Sequence, residues 1–388
     1  MNKTLSFLLV FVTIFDLRSQ IDYDEVLGGN LNTITTAVPF LLISPDSRSG
    51  AMGDVGVATS ADASSMHWNP SKINFTEDDL GISVSIVPWL RELVPDINLQ
   101  YIGGYTRLNR NEAIGFELRY FSLGDITFTD NTGNVIGQYK PNEMAFGTAY
   151  SRKLSNDFSI AISARYIYSN LTGGQTAGGT ETVAGQSIAA DVSSFYTRDI
   201  RIVNRPSNLS FGMNISNIGN KISYTETVVR DFIPINLRIG SSLNTDFDDY
   251  NSMSFSFDIN KLLVPTPPLY DENGDIIRGK DPNVSVVSGI FQSFGDAPDG
   301  INEELRELNL SIGMEYWYDK QFALRAGYFH EHDTKGGRKY LTFGSGVKYN
   351  VFALDFSYLV STSNLGGTNP LANTMRFTLI FDLGSVRG

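Results

Sequence analysis

The sequence predicts an all-β membrane protein: an antiparallel transmembrane β-barrel of about fourteen strands with an N-terminal plug. Three observations predict it. From Asp79 onward, segments of roughly ten to thirteen residues alternate apolar and polar side chains, the two-residue period of a strand with one apolar face. The charges within these segments fall on the polar face. The connections between them alternate, longer then shorter, as the outer loops and brief periplasmic turns of outer-membrane barrels do.

The chain opens with Met1-Asn2-Lys3, an apolar run over 4–15 and a small residue at Ser19. This pattern reads as an export signal over 1–19, followed by an N-terminal extension over 20–37. The run is too short for a membrane-spanning helix, which needs about 20 residues. There are no cysteines, so disulfides, thiolate metal sites and a thiol nucleophile are excluded. A formal net charge of −12 argues against nucleic acid, whose binding rests on neutralising phosphates with Lys and Arg.

The stretch from Val38 to Phe75 does not alternate. It is dense in Gly, Ala and Ser, which allow close backbone approach and tight turns. Pro45-Asp46 and Ser60-Ala61-Asp62 read as helix starts. Trp68-Asn69-Pro70 reads as a stop, because Pro disfavours helical backbone before it. The expectation is a plug over 38–78, with Pro45, Asp46, Arg48, Met52, Gly53, Trp68, Asn69 and Pro70 as its candidate residues. The alternative is an N-terminal subdomain of a soluble β protein.

The barrel is expected over 79–388, with strands near 80–88, 97–107, 112–123, 141–154, 157–169, 187–198, 207–218, 232–243, 250–261, 306–318, 320–331, 338–349, 351–361 and 372–383. In Leu308–Tyr318 one face carries Leu, Leu, Ile, Met, Tyr and Tyr, and the other Asn, Ser, Gly, Glu and Trp. Glu117, Arg119, Arg165, Asp191, Arg238, Asp258, Glu315, Arg325, Asp355 and Arg376 all lie on polar faces. The apolar faces end in aromatics such as Tyr166, Tyr168, Tyr316, Tyr318 and Phe381. This is the arrangement of a lipid-facing band with a polar lumen. A slip of one residue would place an arginine in lipid at roughly 2–4 kcal/mol near the midplane, so register is strongly specified. Loop sorting is imperfect, since Asp199 to Pro206 is no shorter than 332–337. A barrel this wide is not filled by its own side chains; it is a pore unless something such as 38–75 closes it.

Motif matches carry little chemistry. His330-Glu331-His332-Asp333 places two imidazoles on one strand face but has no further ligand nearby. Asp271-Glu272-Asn273-Gly274-Asp275 starts like a calcium loop, but Ile276 and Pro282 stand where Gly and Glu are needed. Asn273-Gly274 reads as a hairpin turn. Gly274–Lys280 fits a phosphate loop but is followed by Asp281 and has no strand-to-helix context. No catalytic, cofactor or metal residues are assigned, and the protein is expected not to be an enzyme.

The 262–305 connection is the longest. It holds a Pro-rich apolar run with Leu263, Pro265, Pro267 and Pro268, and a helical stripe at Val287, Ile290, Phe291 and Phe294. Apolar groups on a water-facing loop mark a contact surface, so these eight residues are expected to dock a partner. The alternative is a lid folded back onto the plug.

The run P-F-L-L-I-S-P-D-S-R-S-G-A-M-G-D-V-G-V-A-T-S-A-D-A-S-S-M-H-W-N-P strongly resembles the PorV family of the type IX secretion system, and Lys261–Pro268 resembles it too. Asn69-Pro70 is similar to the Asn-Pro of the wider FadL-type barrels, which have fourteen strands and a plug. The resemblance implies a non-enzymatic outer-membrane component of protein secretion. Its implied partners are the C-terminal domains of exported cargo, the large translocon barrel and a surface attachment complex, besides the lipid bilayer. A second reading is a FadL-like channel for small hydrophobic compounds, with Phe121, Phe195 and Trp317 lining a greasy lumen site.

Overall fold

The computed structural model describes residues 31–90, 94, 96–129, 132–174, 176–177, 180–225, 230–362, 371 and 373–384. The export signal over 1–19, most of the extension over 20–37 and most of the 362–371 loop lie outside these residues.

Fourteen antiparallel strands form one closed barrel. In chain order they are β1 (Leu80–Pro88), β2 (Asn98–Arg107), β3 (Glu112–Ser122), β4 (Asn142–Lys153), β5 (Phe158–Asn170), β6 (Gly185–Ile202) and β7 (Arg205–Gly219), then β8 (Asn236–Asp246), β9 (Asn251–Leu262), β10 (Asn309–Tyr318), β11 (Phe322–His330), β12 (Lys339–Tyr349), β13 (Phe352–Ser361) and β14 (Met375–Leu383). Each pairs with its neighbours in sequence, and β1 closes on β14 from Leu80↔Leu383 to Ile86↔Phe377. Among the described residues no helix is long and apolar enough to cross a membrane.

Most strand ends fall within about three residues of the sequence expectation, and two regions differ more. The turn expected over Asp199 to Pro206 is only Val203-Asn204, both with positive φ (50° and 64°), between the paired Ile202 and Arg205. Two successive left-handed residues suit a two-residue hairpin because their twist matches that of the strands. The anomaly in loop sorting thus disappears, since β6 and β7 extend into a tight turn. The strand expected from 232 begins at Asn236 instead. Pro234 lacks the N–H a ladder requires, and Ile233 and Ile235 are buried in an apolar layer.

The two faces of the wall are inverted relative to a soluble protein. Glu117, Asp258, Ser311 and Thr342, pointing inward, are 0% exposed, whereas Ile312, Phe255 and Leu354, pointing outward, are 55%, 52% and 56% exposed. Soluble proteins rarely expose an apolar band of this kind; around a closed barrel it is a surface for lipid.

Residues 38–76 lie inside the barrel, because they bond to strands around its whole circumference. Ser47 N donates to Thr378 of β14, Arg48 to Glu315 of β10, and Gly53 N to Thr342 of β12. Gly56 N and Val57 N donate to Asp258 of β9, Asn69 to the Ser194 carbonyl of β6, and Asn74 to Ser151 of β4. Two four-residue helices, α1 (Ser47–Gly50) and α2 (Ser65–Trp68), and a 3-10 turn over Pro70–Phe75 carry the segment.

Candidate functional site

Asp46 organises the inner segment. One of its oxygens accepts Ser49 N at 2.9 Å, capping α1, and the other accepts Trp68 Nε1 at 2.6 Å, which ties α1 to α2. The second expected helix start lies later than Ser60-Ala61-Asp62: Asp62 accepts Ser64 N, and α2 begins at Ser65. Pro70 both ends α2 and opens the 3-10 turn, where its missing N–H costs nothing. Asn69 caps that turn through Ser71 N and donates to the Val57 carbonyl at 2.9 Å. Pro45, beside Asp46, is buried.

Arg48 reaches the wall. Its Nε and Nη2 donate to the two oxygens of Glu315 at 3.0 and 2.7 Å, and Nη1 meets Asp62 at 2.9 Å. Glu315 also accepts Arg325 Nε at 2.6 Å, and Arg325 continues to Asp355 at 2.6 Å. A second buried chain runs from Glu117 through Arg165 to Asp191. Trp68 is buried with the Arg238 guanidinium 4.5 Å from its ring centroid. His67 packs edge-on to Trp68 and contacts Arg119. Burial lowers its pKa well below the imidazole range, and Arg119, Arg238 and Arg165 lower it further, so the ring is neutral. Burial also pushes Lys72 down to about 8; its ammonium donates to the Gly56 carbonyl and Thr59.

Met52 and Gly53 meet the wall backbone to backbone. A Cβ on Gly53, whose φ is +69°, would lie 2.6 Å from Tyr328 N and O, and one on Gly327 would lie 2.0 Å from the Met52 carbonyl carbon. These are contacts only glycine permits.

At the end with the longer connections, an apolar layer crosses the lumen. Val38, Phe40 and Leu41 of the inner segment pack with Phe121, Ile233, Ile235, Leu263 and Val264. At the opposite end a polar recess of about 360 Å³ is lined by Phe75, Asn156, Asp157, Phe195, Thr197 and Ser210, among others. The three aromatics proposed as one greasy site are therefore dispersed. Phe121 stacks on Phe40, Phe195 lies against Phe75, and Trp317 sits beneath Arg325.

The structure divides the eight residues expected to dock a partner. Leu263, Pro265 and Pro268 are buried, so the expectation of an exposed Pro-rich run is corrected. Leu263 joins the apolar layer with Phe40 and Ile233, where it gains more than in water. Pro267 is half-buried and its carbonyl accepts Asn32 Nδ2 at 3.0 Å. The stripe falls on α3 (Val286–Gln292) and just beyond it. Ile290 turns to the apolar layer, while Val287, Phe291 and Phe294 are 64%, 75% and 52% exposed.

Sequence reasoning missed an ionic cluster that pins this loop. Helix α4 (Ile301–Arg306) and Glu307 bring three carboxylates to two lysines. Lys261 Nζ lies 3.0 Å from Glu304 and 2.6 Å from Glu307; Lys335 Nζ lies 2.6 Å from Glu303 and 3.0 Å from Glu307. Asp296 accepts Thr266 N at 3.1 Å, and burial raises its pKa to about 6 with Glu304 and Glu307 adding to the rise. Pairs 28 to 46 positions apart in sequence offer no local signal for such pairing.

Fold and surface together define an outer-membrane β-barrel protein with an occupied lumen. The family model described as type IX secretion system protein PorV matches residues 28–269, and the chain belongs to this family. No curated protein matches. Among solved structures the barrel is similar to the toluene transporter TbuX of Ralstonia pickettii (11% identity, 87% of this chain and 97% of that one, TM-score 0.45). It is also similar to a FadL homologue of Pseudomonas aeruginosa (12%, 90% and 99%, 0.45) and to the toluene transporter TodX of Pseudomonas putida (12%, 86% and 95%, 0.46).

Proposed function

We propose that the chain is a non-enzymatic docking component of type IX secretion. In this reading it is exported by the signal over 1–19 and its barrel is sealed by the plug over 38–78. It binds the C-terminal signal domain of cargo, associates with the translocon barrel and delivers cargo to the surface attachment complex. The observation that carries the reading is the contrast between lumen and loop. Hydrogen bonds to strands on every side occupy the lumen, and an apolar layer crosses its outer end. Val287 and Phe291, by contrast, stand exposed on α3.

A channel for small hydrophobic compounds needs a continuous greasy path, and the dispersal of Phe121, Phe195 and Trp317 does not supply one. The docking surface is accordingly narrowed to Val287 and Phe291. Replacing both with Asp in cells tests it. The expected outcome is a barrel of normal abundance that no longer co-purifies with its translocon partner and a loss of cargo from the medium. Normal secretion by this variant overturns the assignment.

A further inference from the structure

Helix α4 lies outside the barrel wall rather than over its mouth. Along β9 the side chains alternate, with Asp258 and Asn260 facing inward, so Ile259 and Lys261 face outward. An outward lysine at the rim is a poor neighbour for lipid, and here Glu304 and Glu307 cover it. That pairing turns the carboxylates of α4 to the wall, and Ile301 and Leu305, 70% and 59% exposed, border the space beside it. Between helix and wall remains an apolar groove of about 260 Å³, lined chiefly by Leu237, Ile239, Ile259, Phe294, Leu305 and Leu308.

We propose that this groove holds one acyl chain of an outer-leaflet lipid. Leu237, Ile239 and Ile259 sit near the outer ends of β8 and β9 and belong to the same outward face as Phe255 and Phe257, so the groove continues the lipid-facing band. Its charged lining, Lys261 and Glu304, is neutralised within the wall–helix contact. A protein helix, about 10–12 Å across with its side chains, would not fit, whereas a flexible hydrocarbon chain enters sideways from the bilayer. The loop would then have two surfaces, Val287 and Phe291 toward water and the Leu305 side toward lipid.

The test uses the full chain in liposomes of a phosphatidylcholine that carries a diazirine on one acyl chain, with adducts mapped by mass after illumination. Adducts are expected on the peptides bearing Ile259 and Leu305, alongside those on Ile312 in the open band. Leu305→Trp, which fills the groove, should reduce the Ile259 adducts several-fold and leave those on Ile312 unchanged. Leu305→Ala should retain both. Adducts on Ile312 without any in the groove, or an Ile259 yield indifferent to Leu305→Trp, overturn the proposal. The Ile312 adducts report in each variant that the barrel has inserted.

Discussion

Gly327 offers the sharpest test of how the inner segment is held. A Cβ there would sit 2.0 Å from the Met52 carbonyl carbon and 2.2 Å from Gly53 N, where ordinary contact begins near 3.4 Å. The obstacle is backbone on both sides, so no rotamer relieves it, and the segment must retreat by about 1.4 Å or the strand must bend. Retreat strains the neighbouring bond from Gly53 N to Thr342 Oγ1, 2.8 Å long, one of the few that bind this part of the segment to β12. Overpacking of this kind costs typically about 1–3 kcal/mol, which shifts a two-state population by roughly 5–150-fold. Gly327→Leu adds volume to the same clash. The assay is conductance in planar bilayers, with protease digestion of the segment in intact outer membranes. The wild type should conduct little and resist digestion, and Gly327→Leu should show frequent open events and faster cleavage between residues 38 and 76. Gly295→Ala, whose Cβ meets nothing within 4 Å, should match the wild type. If Gly327→Leu stays closed and resistant in a correctly inserted barrel, the segment does not seal the lumen through this contact.

Three further predictions address other parts of the molecule. Ile312→Arg places a guanidinium on the lipid face at a cost of roughly 2–4 kcal/mol near the midplane. It should lower the yield of heat-modifiable barrel in outer membranes, while Val287→Arg on the loop inserts normally; equal yields would refute the assigned faces. Asp296 has a folded pKa raised to about 6 by burial, above its usual 3.8. The folded state therefore binds the extra proton between those values, and this group's contribution to stability falls as pH rises from about 4 to 6. Asp296→Asn should make the loop more resistant to protease than wild type at pH 7.5 and equally resistant at pH 3.5, and a difference that does not change with pH would contradict this. Lys261→Met removes the cation shared by Glu304 and Glu307 at 3.0 and 2.6 Å. Breaking a buried pair costs about 3–5 kcal/mol, so cleavage within 296–307 should accelerate sharply in detergent, and unchanged cleavage would show that the cluster does not hold α4.

Much of the fold was legible because a strand writes its two faces into adjacent residues. Ser311 and Ile312 are neighbours in sequence yet one is fully buried and the other half-exposed, and an alternation of that kind needs no knowledge of the rest of the chain. The strand count, the polar lumen and the outward apolar band follow from it. Ends were less legible, because they depend on partners. Val203-Asn204 became a tight turn only because Ile202 and Arg205 pair, and Pro234 kept 232–235 out of β8 while the apolar layer claimed Ile233 and Ile235.

The contacts of Asp46, Arg48 and Asn69 were not readable, although the residues themselves stood out. Arg48 meets Glu315 across 267 positions, a distance that only barrel closure removes. The outer loop shows the limit most clearly. Composition marked Leu263, Pro265 and Pro268 as sticky, and whether such groups face a partner or fold inward depends on what lies beneath them. Beneath Leu263 lie Phe40, Phe121 and Ile233. Hydrophobicity is a property of the residue and is written in the sequence. Burial is a property of its surroundings, and only the tertiary structure brought the inner segment, the wall and the loop together to decide it.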